Sequence, residues 1–286
     1  MRFLKKIKEF VHVVYTTKQY EAVIIYNDEK ISIKNSENIF SISPFKYGFY
    51  FDKFNLDFKK NQEIQLQYYS NEVLISSNII TYLSRNKQLY IFEIKETNLS
   101  TLNSFKFWFY YYYNYCKNLG KMETTFSVQK TIASIYATPR KVYICSFTSL
   151  NGNHILFPID LVIENKNQDT FFYSIRKSNS AVKEIIKKKK ATIIYSQFNN
   201  RKNILELGKY HSITFPKLSK LNFKTTESKV FKHPIPDFLE HYVEIENIEE
   251  IDLEDQTLFM GRVLFKKLPP KNYKELANIY FLFKNN

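Results

Sequence analysis

The chain has 286 residues, 44% of them hydrophobic and 17% aromatic, enough apolar surface to build a sizeable core and to exclude a disordered chain. Its formal charge is +14 with only 5 glycines, which argues against a glycine-rich phosphate loop and leaves nucleic acid, an anionic surface or anionic ligands as partners for the basic excess. The lysines are spread along the whole length, and the densest run, residues 187–190, falls at the end of an expected helix where cations suit the dipole, so a dedicated nucleic-acid surface is not expected.

Residues 1–15 are basic but lack a sustained apolar stretch and a small-residue cleavage site, so no signal peptide is expected. No run reaches the roughly 18 apolar residues that a helical membrane span requires. Cys116 and Cys145 sit in aromatic and apolar surroundings and read as packing residues, consistent with a reducing, cytoplasmic compartment. The five histidines, His12, His154, His211, His233 and His241, show no metal-ligand spacing.

Short runs of branched and aromatic residues follow at 22–26, 31–33, 39–42, 48–51, 63–69, 73–81 and 88–94, punctuated by Asn, Asp, Ser and Lys. The run at 63–69 alternates Ile64, Leu66 and Tyr68 with Gln65, Gln67 and Tyr69, the pattern of a strand with one wet face. Residues 1–120 are therefore expected to form an antiparallel β-rich domain of unassigned role. Ser43-Pro44-Phe45 echoes Phe157-Pro158-Ile159, but one tripeptide does not establish a repeat. Residues 102–119 carry Phe105, Trp108, Phe109 and Tyr112 at helical spacing, a stripe expected to face a core or an interface, with Gly120 as a candidate cap. A second short helix is expected over 127–136, stopped by Thr138-Pro139 because a residue before proline disfavours helix.

The remainder, 121–286, predicts strands at 141–148, 154–163, 169–175, 191–197, 242–251 and 257–264. An Asn151-Gly152 turn joins the first two. A helix over 180–189 has Val182, Ile185 and Ile186 on one face, with Ser178 or Ser180 as N-cap. Residues 198–235 read as loop, and 273–283 as a closing amphipathic helix. Glu244, Glu246, Glu249, Glu250, Asp252, Glu254 and Asp255 cluster, and a solvated edge that resists strand pairing is the expectation.

Several motifs stand in a telling order. Thr138-Pro139-Arg140-Lys141 precedes a strand, and Asn151-Gly152 forms the turn. Phe157-Pro158-Ile159-Asp160 ends the next strand. Ser174-Ile175-Arg176-Lys177-Ser178-Asn179-Ser180 runs from a strand into a helix, and Asp255-Gln256-Thr257-Leu258-Phe259-Met260-Gly261-Arg262-Val263 follows downstream. This order resembles the flavin reductase-like family over the C-terminal half. The resemblance implies a mainly β chain whose 121–286 portion is an FMN-binding-type split β-barrel. It further implies FMN as cofactor, NAD(P)H as co-substrate in an oxidoreductase, and a homodimer with flavin near the interface. Candidate cofactor-binding residues are Phe157, Pro158, Ile159, Asp160, Ser174, Arg176, Lys177, Ser178 and Ser180, with no catalytic side chain and no metal ligand.

The residues support this physically. A flavin phosphate seeks Arg or Lys, hydroxyls and N–H groups at a helix start, as at 176–180, where an ordinary N-capped helix with solvated cations is the equal alternative. By the resemblance, strand-end backbone at 156–160 would contact the ring. Against the family pattern, Asp160 stands for Ser, Ala181 for Thr and Gln256 for His. The alternative is therefore a non-enzymatic β-barrel scaffold or interaction protein without flavin.

Overall fold

A computed structural model describes residues 10–15, 20–33, 38–42, 45–51, 56–86, 89–101, 104–117, 125–165, 169–208 and 222–280. The N-terminal portion contains β1 (Phe10–Val14), β2 (Tyr20–Tyr26), β3 (Glu29–Ile33), β4 (Asn38–Ile42), β5 (Phe45–Tyr50), β6 (Glu63–Ser70), β7 (Val73–Asn86) and β8 (Leu89–Asn98). Helices α1 (Ser104–Lys117) and α2 (Phe126–Ile135) follow, then β9 (Arg140–Lys141), β10 (Tyr143–Thr148), β11 (His154–Ile159), β12 (Val162–Asn165) and β13 (Thr170–Arg176). Next come α3 (Ala181–Lys188), β14 (Lys190–Tyr195), α4 (Arg201–Leu207), β15 (Thr225–Glu227), β16 (Pro234–Pro236), β17 (Tyr242–Asp252), β18 (Gln256–Lys267) and β19 (Leu276–Tyr280).

The chain is mainly β and antiparallel throughout its ladders. The C-terminal sheet has seven strands in the order β11-β10-β14-β17-β18-β13-β12. Its two edges, β11 and β12, are consecutive stretches separated only by Asp160-Leu161. The expected strand at 154–163 is thus one run that bends at Asp160, pairing with β10 before the bend and with β13 after it. That shared run closes the sheet into a barrel, which removes the open edges. Period-2 alternation sends Cys145, Phe147, Phe157, Tyr173, Ile193, Val243 and Phe259 into one interior core, plugged by Val182 and Ile185 of α3.

The N-terminal sheet also has seven strands, in the order β3-β2-β6-β7-β8-β5-β4. Numbered by appearance within each sheet, the two orders are the same, so the chain carries one barrel topology twice. The tripeptide echo does not mark this repeat. Pro158 lies in β11, the counterpart of β3, whereas Phe45 opens β5, and Ser43 and Pro44 lie outside the described residues.

Outward-facing side chains of the C-terminal barrel are also buried. Ile144, Leu156 and Ile194 pack under α4 and β16, while Ile163, Phe172, Leu258 and Met260 share a cluster with Tyr50, Phe51 and other N-terminal residues. At an apolar coefficient of ~25 cal/mol per Å2, covering such a face is a large stabilising term.

Four expectations are corrected. Residues 276–280 form a strand, not part of a closing helix: β19 pairs with β1 and β9, a long-range partner that overrides the local helical period. The region 198–235 contains α4 and the β15–β16 ribbon. On α1, Phe105, Trp108, Phe109 and Tyr112 are exposed while Phe107 is buried, so of the two expectations for the stripe, core or interface, the core is corrected. Glu244 is fully buried because β17 is central, between β14 and β18. Its carboxylate accepts from Ser228 Oγ (2.7 Å) and from the Val230 and Phe231 amides (2.8 and 2.6 Å), tying down the loop that leads into β16. The expected cap at Gly120 lies outside the described residues.

Candidate functional site

The bend that closes the C-terminal barrel opens a cleft of about 300 Å3, at the lower end of ligand-sized pockets. Its walls are the β11 end and bend, the β13 end with its loop into α3, the start of β18, and Tyr136 after α2. Of the sequence-predicted residues, the fold brings together Phe157, Pro158, Ile159, Asp160, Ser174, Arg176 and Ser178. Lys177 and Ser180 are not part of the lining. Lys177 points its ammonium at Asp252, with both carboxylate oxygens at 2.6 Å. That bond is the main cause holding the Asp252 carboxyl below its ordinary value. Ser180 is exposed and makes no side-chain cap; Asn179 Oδ1 instead accepts from the Ala181 amide at 2.9 Å, correcting the N-cap expectation.

Phe157 keeps its ring inside the barrel against Phe147. Asp160, at the bend, accepts at Oδ2 from the Tyr136 hydroxyl (2.8 Å) and from Asn278 Nδ2 (3.0 Å). Burial first, then the Asp160 carboxylate, push the Tyr136 phenol well above its usual value, so Tyr136 stays protonated and donates. These donors spread the carboxylate charge that the sequence placed beside the site. Arg176 is exposed on the rim and, among the described residues, has no carboxylate partner.

The floor holds the least expected group. Gln256 is 1% exposed, its Oε1 accepts from Ser174 Oγ, and its Nε2 has no hydrogen-bond partner among the described residues. A buried amide donor left unpaired costs about 1–3 kcal/mol. Gln256 is among the residues that line the cleft, so its buried amide belongs to the wall that a ligand would meet. Sequence reasoning recognised Gln256 only as a departure from a family histidine and Asn179 only as part of the run from a strand into a helix, and Tyr136 and Asn278 carried no signal. Cys145 is a free thiol whose pKa burial raises, so it is inert packing within the barrel.

No family model matches the chain, and no curated protein does. Solved structures do. An FMN-binding protein from Thermus thermophilus is 18% identical, over 50% of this chain and 82% of that one, with a TM-score of 0.43. An NADH:FAD oxidoreductase from Streptomyces globisporus is 9% identical, over 52% of this chain and 86% of that one, at a TM-score of 0.46. A protein of provisional oxidoreductase assignment from Sinorhizobium meliloti 1021 matches at 11% identity and a TM-score of 0.46, over 52% of this chain and half the length of its own. The structural neighbours include flavin reductases and FMN-binding split-barrel proteins, matched over about half of this chain.

Proposed function

We propose that the C-terminal cleft binds FMN and that the loaded protein is a flavin oxidoreductase using reduced nicotinamide. The observation that carries this reading is the buried Gln256 Nε2, unpaired among the described residues, in the wall of a cleft whose rim bears the Arg176 guanidinium. Arg176, with the Ser178 hydroxyl, would hold the phosphate through charge-assisted bonds. Gln256 would donate to an acceptor of the ring or ribityl chain, oriented by Ser174. Tyr136 and Asn278 would keep Asp160 from repelling the anion. Bound flavin supplies hydride acceptance, so the chain need contribute no acid or base of its own. Support comes from the convergence of these donors at one bend of the barrel, which an unliganded scaffold does not require.

The test is a flavin fluorescence titration of wild type and Arg176→Ala. We expect saturable binding that Arg176→Ala weakens by about 10- to 100-fold, the worth of one charge-assisted bond of ~1.5–3 kcal/mol. Equal affinity for both proteins would place flavin elsewhere, and no binding would leave the scaffold reading.

A further inference from the structure

The two barrels do more than repeat a topology; like elements meet like. β4 lies against β12, which is its counterpart in strand order. Tyr50 of β5 packs on Phe172 of the equivalent β13 with ring centroids 5.4 Å apart, and its hydroxyl accepts from Asn165 Nδ2 at 2.7 Å. Asn86 at the end of β7 donates to Glu249 of the equivalent β17. Contacts between equivalent elements are the signature of an isologous, two-fold interface. Here both sides belong to one chain.

Strand register allows the ligand site to be compared between halves. In the C-terminal barrel the last pair of the β13–β18 ladder is Arg176 with Gln256. In the N-terminal barrel the last pair of the β5–β8 ladder is Tyr50 with Leu89. Two residues back along each strand, Ser174 corresponds to Gly48. The cation, the amide and the hydroxyl are thus replaced by Tyr50, Leu89 and Gly48, with Tyr50 and Leu89 only 5% and 1% exposed. After β13 the chain enters α3. Downstream of β5, Phe58 packs into an aromatic core against Tyr26, Tyr82, Tyr90 and Phe92.

We propose that this chain is a fused pseudo-dimer. The N-terminal barrel occupies the place of a second copy and has surrendered its own ligand site. One chain therefore carries one complete site and needs no partner chain. The single-site part rests on the proposed ligand cleft; the pairing part does not. It follows that the face a lone barrel would offer to a second copy, Ile163, Phe172, Leu258 and Met260, is already covered.

The test uses the full chain in three readouts. Sedimentation equilibrium should return 34.3 kDa across the concentration range; a stable species of twice that mass overturns the proposal. Zero-length carbodiimide coupling should link Lys46 to Glu254, an ion pair across the two barrels, within the monomer band. Finding that link only in a dimer band, or not at all, overturns it. FMN titration should saturate at one per chain, and two per chain overturns the loss of the N-terminal site. Absence of FMN binding overturns the cofactor reading instead, and mass and cross-link then decide the pairing.

Discussion

Replacing Ser174 and Gln256 together, as Ser174→Ala/Gln256→Met, should separate a ligand-reading pair from a structural one. Gln256 Nε2 is buried and, among the described residues, unpaired, while Gln256 Oε1 accepts from Ser174 Oγ. The double variant removes both members of that bond and the orphan donor. Exchanging both partners for apolar groups is close to neutral, whereas deleting a buried orphan recovers part of its penalty of ~1–3 kcal/mol. Met is close in volume to Gln, so the packing cost stays below about 1.5 kcal/mol. The net expectation is unchanged stability or a gain of about 1 kcal/mol, read as a higher urea midpoint at unchanged m-value. FMN affinity should fall at least about tenfold, since one lost hydrogen bond of ~1.5 kcal/mol corresponds to that factor. Stability rising or holding while affinity falls is the trade expected of a functional residue. A destabilisation above about 2 kcal/mol with unchanged FMN affinity would refute the reasoning and make Gln256 a tether between β13 and β18.

Two further perturbations test the frame around the site. His233, whose Nδ1 lies 2.9 Å from Thr192 Oγ1, is held down to about 4, chiefly by burial and then by Lys190. The unfolded chain therefore binds the extra proton between pH 6.5 and 4, so stability is fully present above that window and is lost as pH falls through it, by roughly 3 kcal/mol. Denaturation curves of wild type and His233→Asn across this range should differ in slope, and parallel curves would contradict the assignment. Glu244→Gln leaves buried amides facing a weaker acceptor and should lower the urea-derived stability by about 2–4 kcal/mol; a change within about 0.5 kcal/mol would show that the loop at 228–233 is held by other means.

Most strands were legible because branched and aromatic residues alternate between Asn, Asp and Ser turns, as at β2, β6 and β10. The cleft residues Phe157, Pro158, Ile159 and Asp160 were legible only through the family resemblance, whereas Arg176 and Ser178 were legible also as a cation and a hydroxyl before a helix. The bend at Asp160-Leu161 was not, since apolar periodicity runs through it and closure depends on partners far along the chain. β19 was misread for the same reason: its alternation is short, and its partners are β1 and β9. Glu244 read as a solvated edge because an acidic run hides which strand is central. The duplication was invisible because topology repeats while side chains do not; Tyr50 stands where Arg176 stands, and Leu89 where Gln256 stands. Register, which only the folded chain reveals, brought it out.

The central claim is tested most directly by isothermal titration of FMN into the full-length protein, which returns affinity and stoichiometry together. The account predicts saturable binding in the micromolar range or tighter, at one flavin per chain, with the heat abolished or strongly weakened in Arg176→Ala. No heat and no quenching at millimolar flavin, or binding indifferent to Arg176, would contradict it.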